Sequence, residues 1–144
     1  MSKPFVMLVD DEADFIDTMS KRLEKRDVKV LTAYSGKEAL DKVSKNRNLE
    51  VMILDVKMPE MDGLEVLQEM KQSYPLIEVI MLTGHATIES AIEGMKAGAF
   101  DYLMKPCEID QLMEKVREAA EKKRSQEEKI QKARMEKVMS TRGV

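Results

Sequence analysis

The segment Val51-Met52-Ile53-Leu54-Asp55 decides the fold, because it is a short apolar run that ends in a carboxylate. Apolar residues at every position, rather than at alternate ones, are typical of a strand buried on both faces of a parallel sheet. Two more runs of this kind are Phe5-Val6-Met7-Leu8-Val9 and Ile77-Glu78-Val79-Ile80-Met81-Leu82. Residues 28–33 alternate in part and predict a more exposed strand, and residues 100–104 predict a fifth.

Amphipathic segments with helical spacing separate and follow these strands. Their apolar positions are Phe15, Ile16, Met19 and Leu23; Ala39, Leu40 and Val43; Leu64, Leu67 and Met70; Ile88, Ala91, Ile92 and Met95; and Ile109, Leu112, Met113, Val116 and Ala120. Each set predicts a helix with one apolar face. Ser35 with Glu38 fits a capping box, and Gly98 lies where the fourth helix should end. This order predicts an α/β fold, a doubly wound parallel sheet with helices on both faces and right-handed crossovers.

The composition narrows the possible classes of protein. The 144 residues suit one domain, and no run approaches the roughly 20 apolar residues of a membrane span. A net charge of −3 and 4% aromatic residues without Trp argue against direct nucleic-acid binding. A single cysteine and the lack of a signal-peptide pattern fit a cytoplasmic protein. The 13 methionines are expected to fill the core.

The composition changes near Ala120. Residues 121–137 are rich in Glu, Lys, Arg and Gln and lack Gly and Pro, which predicts that the last helix continues beyond the globular body. We therefore predict a domain over residues 1–122 and a charged helical extension or linker over residues 123–144. The extension carries a thin apolar stripe, made of Ile130, Ala133 and Val138. Charged and polar residues interrupt its seam, so we expect a solvated helix rather than a self-sufficient coiled coil.

Polar residues follow four of the predicted strands. They are Asp10-Asp11 after the first strand, Asp55 after the third, Thr83-Gly84 after the fourth and Lys105-Pro106 after the fifth. The carboxyl ends of parallel strands meet at one edge of a sheet, where such sheets bind ligands. Three carboxylates at one edge repel one another unless a cation offsets them, and carboxylates with retained water are what Mg²⁺ prefers. A lysine and a hydroxyl there suit a phosphoryl group, and a carboxylate can itself be the nucleophile.

Four motifs lie in this order along the chain: Asp10-Asp11, Asp55-Val56-Lys57-Met58-Pro59-Glu60-Met61-Asp62-Gly63, Leu82-Thr83-Gly84 and Gly98-Ala99-Phe100-Asp101-Tyr102-Leu103-Met104-Lys105-Pro106. With them the sequence resembles, over about residues 4–122, the receiver domain of bacterial two-component response regulators. The motifs are most similar to the receivers of nitrogen-regulation-type activators. The resemblance implies a flavodoxin-like sheet with strand order 2-1-3-4-5.

The resemblance also implies a metal site around the phosphoacceptor. Asp55 would accept the phosphoryl group, Asp11 would bind Mg²⁺ directly, and Asp10 would help through water. The backbone carbonyl of Lys57 would complete the protein ligands.

The same resemblance implies a conformational switch. The Thr83 hydroxyl and the Lys105 ammonium group would contact the phosphoryl group, and Tyr102 would change between a buried and an exposed position. The Lys105-Pro106 bond would be cis, which aims the lysine inward.

The expected function is a signalling switch that assists only its own phosphorylation and dephosphorylation and is not otherwise an enzyme. A sensor histidine kinase or a phosphotransfer protein would phosphorylate Asp55. The surface of helix 4, strand 5 and helix 5 would then change for a downstream protein. A homodimer through that surface or through the C-terminal helix is a further expectation, whereas neither nucleic acid nor membrane is expected as a direct partner.

Three alternatives remain open. A haloacid-dehalogenase-type phosphatase also forms an aspartyl phosphate, but that family carries an Asp-x-Asp pair, and here Lys57 stands two positions after Asp55. A purely structural module would have no reason to gather three aspartates. A receiver fragment of a larger transcriptional activator would carry a helical dimerisation linker; no output motif follows Ala120, so we expect a stand-alone receiver. His85 is expected to line the mouth of the site, and Cys107 to pack rather than to do redox chemistry.

Overall fold

Five parallel strands alternate with five helices over residues 3–142, the part of the chain that the computed structural model describes. The strands are β1 (Phe5–Val9), β2 (Lys29–Ala33), β3 (Val51–Leu54), β4 (Glu78–Thr83) and β5 (Asp101–Met104). The helices are α1 (Ala13–Glu24), α2 (Gly36–Ser44), α3 (Gly63–Ser73), α4 (Ile88–Lys96) and α5 (Ile109–Arg142). The outermost residues of the two predicted ranges, 1–2 and 143–144, lie outside the described residues. Among the described helices none combines the length and the apolar composition needed to cross a membrane.

The sheet confirms the predicted fold class and strand order. All strand pairs are parallel, and the order is β2-β1-β3-β4-β5. β1, β3 and β4 are buried at every position, as continuous apolar runs predict, whereas β2 at one edge is partly exposed. The register sets Val9 beside Leu54 and Thr83 beside Met104. The residues that follow these strands therefore emerge side by side at the carboxyl edge.

Alternate residues of the strands enter two separate cores. Met7, Met52 and Val79 face a core that α2 and α3 cover, and their neighbours in the strands face a core that α1 and α5 cover. A parallel sheet needs cover on both faces, which is why its strands are apolar at every position. The methionines that fill these cores are Met7, Met19, Met52, Met58, Met70, Met81 and Met113.

The caps of α2 and α4 differ in one respect from the sequence prediction. The Ser35 hydroxyl caps α2 by accepting the Glu38 N–H at 3.1 Å. The capping box predicted there is incomplete, because the Glu38 carboxylate accepts the N–H of Tyr34 and not that of Ser35. A reciprocal box occurs instead at α4, where Thr87 and Ser90 each accept the other's backbone N–H through a side-chain hydroxyl.

The predicted apolar face of α4 does not enter the core. Ile88 is 81% exposed, and Ile92 and Met95 are about half exposed. The only residue of α4 that is buried is Gly94, which lies against the ring of Tyr102 in β5. Helical periodicity predicted the apolar face correctly, but that face points outward because α4 approaches the sheet through its glycine. The structure ends α4 before Gly98, whose φ of 106° suits glycine.

The predicted extended C-terminal helix is confirmed. At 34 residues, α5 is about 50 Å long, and only its first part packs on the sheet. Lys123 is 4% exposed, and Arg124 pairs with Glu50 just before β3. From Glu127 to Thr141 every side chain is exposed, so the helix projects beyond the globular body. The division into domains at residues 122 and 123 stays a prediction.

Candidate functional site

The carboxyl edge of the sheet gathers the residues that the sequence singled out. Asp10 follows β1, Asp55 follows β3, Thr83 ends β4 and Lys105 follows β5. The backbone continues the ladder beyond the strands, since Asp10 N–H donates to Ala33 and Asp55 N–H donates to Val9. These bonds set the direction in which each carboxylate leaves the sheet.

Three aspartates form an acidic cluster at this edge. Asp10, Asp11 and Asp55 each offer a carboxylate oxygen, and these atoms all lie within 4.8 Å of one another. Asp10 and Asp55 are 1% and 2% exposed, whereas Asp11 is exposed. Burial raises the pKa of Asp10, and the neighbouring charge of Asp55 adds to this effect, while hydrogen bonds from Lys105 and Glu12 N–H oppose it. Buried carboxylates this close suit a hard divalent cation with oxygen ligands.

Lys105 supplies the positive charge of the cluster. Its Nζ lies 2.6 Å from Asp10 Oδ2, 3.4 Å from Glu12 Oε1 and 3.9 Å from Asp55 Oδ2. Burial alone would lower the pKa of Lys105, but the hydrogen bond and charge of Asp10, with the charges of Asp55 and Glu12, raise it overall. The Lys105-Pro106 bond is cis, as the resemblance implied. The lysine is therefore held charged inside the cluster.

Phe15 in the first turn of α1 supports this lysine, a contact that sequence reasoning missed. The Nζ of Lys105 lies 4.0 Å from the centroid of the Phe15 ring, within the range of a cation–π interaction. The sequence placed Phe15 on the apolar face of α1, but the residue is only half-buried. The sequence feature that could have indicated this contact is an aromatic residue shortly after the acidic pair Asp10-Asp11.

The phosphoacceptor candidate Asp55 is fixed by its own loop. Its Oδ1 accepts the N–H of Val56 at 2.8 Å. Gly63 at the start of α3 packs against this backbone, because a Cβ there would lie 2.1 Å from the carbonyl oxygen of Asp55. The Gly63 N–H also donates to the carbonyl of Val56 at 2.7 Å. Gly63, named in the sequence analysis only as the end of a motif, thus allows α3 to begin against the site.

An open cavity of about 450 Å³ lies over the cluster. Its lining residues are Asp11, Glu12, Asp55, Lys57, Met58, Pro59, Asp62 and His85. Lys57 is exposed at its edge, and His85 lies at its mouth, as expected. Cys107 is half-buried and packs beside the core of α1 and α5, in agreement with the packing role expected for it.

The two predicted switch residues lie on the neighbouring strands β4 and β5, two register positions apart, and outside the cavity lining. Thr83 is fully buried, and its hydroxyl oxygen accepts the N–H of His85 at 3.0 Å. Tyr102 is half-buried, and its hydroxyl lies 2.6 Å from the Ser90 hydroxyl. Tyr102 pairs with Met81 in the sheet, close to Thr83. The bond to Ser90 was missed from sequence, because it joins two residues that are 12 positions apart and lie on different elements.

Fold and site together define a doubly wound α/β protein with an acidic pocket and a lysine at the carboxyl edge of the sheet. Residues 6–117 match the model of a family described as the response regulator receiver domain. The chain therefore belongs to the response regulator receiver domain family of two-component systems.

The relatives include two transcriptional regulators. ZraR of Salmonella typhimurium is 36% identical over 114 residues, which are 79% of this chain and 26% of ZraR. NtrC of Klebsiella pneumoniae is 34% identical over 111 residues, which are 77% of this chain and 24% of NtrC. The chain thus spans about a quarter of the length of these relatives.

Solved structures of receiver domains have the same fold as this chain. A receiver domain protein from Clostridium thermocellum superposes with a TM-score of 0.80 at 37% identity, over 84% of this chain and 97% of that chain. A CheY-like receiver domain protein from Methanospirillum hungatei superposes with a TM-score of 0.81 at 30% identity, over 87% and 99%. The predicted receiver family is confirmed.

Proposed function

We propose that Asp55 accepts a phosphoryl group from a phosphohistidine of a sensor histidine kinase or phosphotransfer protein. The observation that carries this proposal is a 2% exposed carboxylate that lines an open cavity and lies close to both an acidic pair and a charged lysine. Because Asp55 Oδ1 already accepts the Val56 N–H, we assign the attack on phosphorus to Oδ2. The P–N bond to the donor histidine breaks, an O–P bond forms, and hydrolysis by water later restores the carboxylate.

The acidic cluster is proposed to hold Mg²⁺. Asp11 and Asp55 would supply carboxylate oxygens, Lys57 a backbone carbonyl, and Asp10 would act through water; the spacing of the three carboxylates supports this assignment. When bound, the ion offsets the negative charge of the transferred group. Asp11 is exposed, so the open side of the cluster leaves room for the water that Mg²⁺ retains.

Phosphorylation is proposed to act through Thr83, Lys105 and Tyr102. A phosphoryl group adds nearly two negative charges beside Lys105, which already lies 3.9 Å from Asp55 Oδ2. The Thr83 hydroxyl would leave His85 N–H and turn toward the phosphoryl oxygen. Tyr102 would then move into the vacated space and alter α4, β5 and α5. The phosphoryl group would shift the equilibrium because it interacts more favourably with one of these two arrangements than with the other.

The proposed output surface, on α4 and β5, carries exposed apolar side chains. Its exposed apolar side chains are Ile88, Ile92, Met95 and Met104. An apolar patch at the end of a switch is typical of a protein-binding surface, so we propose a downstream protein as partner. The α5 extension offers a second surface, with exposed Ile130, Met135, Val138 and Met139, that could pair two copies of the chain. We propose a cytoplasmic signalling protein without other enzymatic activity, and both the stand-alone receiver and the receiver of a longer activator stay predictions.

A phosphorylation assay with matched variants tests the proposal. Wild type incubated with acetyl phosphate and Mg²⁺ should gain one hydroxylamine-sensitive phosphate in intact mass spectra. Asp55→Asn should gain none. Asp62→Asn is the matched control, because Asp62 lines the same cavity but serves as the cap of α3. Equal incorporation in wild type and Asp55→Asn would overturn the assignment.

A further inference from the structure

The Tyr102 hydroxyl has a specific partner on α4. Tyr102 OH lies 2.6 Å from Ser90 Oγ, and the ring packs on Gly94, where a Cβ would lie 3.4 Å from it. One hydrogen bond and one close contact thus fix the ring against α4. Both contacts are to the same helix, which otherwise buries none of its side chains in the described structure.

Ser90 is itself part of the α4 capping box. Its hydroxyl oxygen accepts the Thr87 N–H at 3.0 Å and lies 3.1 Å from the Thr87 carbonyl oxygen. A serine hydroxyl has one proton to donate and two acceptor positions. When that proton goes to the Thr87 carbonyl, the second acceptor position faces two hydroxyls, Tyr102 OH at 2.6 Å and Thr87 Oγ1 at 3.0 Å, and the shorter contact is the one to Tyr102. The aromatic ring and the first turn of α4 are therefore joined through one side chain.

The arrangement that contains this bond is also the one in which Thr83 is engaged elsewhere. The Thr83 hydroxyl oxygen accepts the N–H of His85, a residue of the loop between β4 and α4. A Thr83 side chain that turns toward Asp55 gives up that bond, and a Tyr102 ring that follows it gives up Ser90. The two hydrogen bonds thus occur together in the arrangement that the structure shows for the segment from β4 to β5.

We propose that Ser90 is a positioning residue of the switch, which holds Tyr102 and the N-terminus of α4 in the unphosphorylated arrangement. This inference rests on the proposed function and names how the resting state is set. Loss of the bond shifts the equilibrium toward the phosphorylated arrangement, so a phosphoryl mimic binds more tightly. It also frees the first turn of α4, which carries the exposed Ile88, to change position.

A double-mutant cycle on the full chain tests this role. The probe is beryllofluoride with Mg²⁺, and the readout is its half-saturating concentration, followed by NMR resonances of backbone amides in residues 84–90. Ser90→Ala and Tyr102→Phe should each lower that concentration roughly 2- to 10-fold, as expected for one hydrogen bond. The double variant should show no further decrease, because both changes remove the same bond. Ser90→Thr keeps a hydroxyl and should stay near wild type.

The variant Thr87→Ala distinguishes the proposed positioning role of Ser90 from a role in capping α4 alone. It removes the Thr87 hydroxyl, which caps α4 and lies 3.0 Å from the Ser90 hydroxyl, but it keeps the Ser90 hydroxyl in place to bind Tyr102, so it should be additive with Tyr102→Phe. An effect of Ser90→Ala equal to that of Thr87→Ala, or a higher half-saturating concentration in Ser90→Ala, would overturn the proposed role. If wild type takes no beryllofluoride and no phosphate, the proposed function fails. If it takes both while the cycle is additive, only the role of Ser90 fails.

Discussion

Lys105 lies closer to Asp10 than to Asp55, with its Nζ 2.6 Å from Asp10 Oδ2 and 3.9 Å from Asp55 Oδ2. The lysine thus offsets the charge of the buried Asp10 while remaining within a short movement of the phosphoacceptor candidate. A phosphoryl group on Asp55 would compete with Asp10 for the same ammonium group. The geometry therefore suits a lysine that detects phosphorylation by changing its partner.

Replacement of Lys105 by Ala should separate phosphorylation from the response. Acetyl phosphate should still label Asp55 in the presence of Mg²⁺, although more slowly, because the acidic cluster remains. The amide resonances of residues 84–104 should stay near their unphosphorylated positions, since no cation draws the β5 loop toward the phosphoryl group. Lys57→Ala, which changes an exposed lysine at the same cavity, is the control. A full wild-type response in Lys105→Ala would rule out the role proposed for this side chain.

Mg²⁺ binding should depend on Asp11 more than on any exposed acid outside the cavity. Asp11→Asn should weaken Mg²⁺ binding at least about tenfold, as expected when a ligand carboxylate is lost. Because the Asp11 carboxylate lies within 4.8 Å of two other carboxylates, Asp11→Asn should relieve repulsion and raise the Tm without Mg²⁺ slightly. Titration of the rise in Tm with Mg²⁺ measures both quantities. Asp14→Asn, an exposed acid in the first turn of α1, is the control, and equal loss of affinity in both variants would argue against a specific site.

Gly63 should be intolerant of a side chain, whereas Gly84 should accept one. An alanine Cβ at Gly63 would lie 2.1 Å from the Asp55 carbonyl oxygen and 2.8 Å from the Val56 Cα, both backbone atoms. We expect Gly63→Ala to destabilise the chain by roughly 1–3 kcal/mol and to lower phosphate incorporation, because the Asp55 loop must shift. At Gly84 the nearest side-chain atom is 4.0 Å away, so Gly84→Ala should change stability far less. Urea unfolding of both variants tests the comparison.

The sequence predicted the sheet and the gathering of polar residues at its carboxyl edge, for identifiable physical reasons. Runs without alternation mark strands covered on both faces, and the ends of parallel strands meet, so Asp10, Asp55, Thr83 and Lys105 had to be neighbours. Periodicity could not tell whether the apolar face of α4 meets the core or solvent, because both choices give the same pattern. That decision depends on how closely Gly94 approaches Tyr102.

The details that set the chemistry were equally beyond the sequence. Whether the Lys105 ammonium group pairs with Asp10 or with Asp55 depends on a difference of about an ångström between its distances to the two carboxylates. The support of Lys105 by the Phe15 ring requires α1 and the β5 loop to be placed together. Such contacts link elements distant in the chain, and no local spacing rule encodes them.

A buried carboxylate outside the site, Glu50, should also make stability depend on pH. Glu50 accepts the N–H of Phe5 and binds Arg124, with 2.8 Å between Glu50 Oε1 and Arg124 Nη2. Burial alone would raise the pKa of Glu50, but the Arg124 and Phe5 hydrogen bonds, with the charges of Arg124 and Lys123, lower it below the ordinary value of 4.5. Because the pKa of Glu50 is lower in the folded than in the unfolded state, its contribution to stability is fully present above the unfolded-state pKa. The contribution is lost as the pH falls through the folded-state pKa.

Glu50→Gln should therefore destabilise the chain by about 2 kcal/mol near neutral pH, because the hydrogen bonds to a charged carboxylate are lost. The difference from wild type should shrink as the pH falls below the ordinary value of 4.5, where wild-type Glu50 also begins to lose its charge. Urea unfolding at a series of pH values measures it. Asp41→Asn, which breaks an exposed pair with Lys45, should cost only a few tenths of a kcal/mol by comparison. A difference for Glu50→Gln that stays constant through the acid range would show that packing, rather than the ion pair with Arg124, anchors α5 at this end of the sheet.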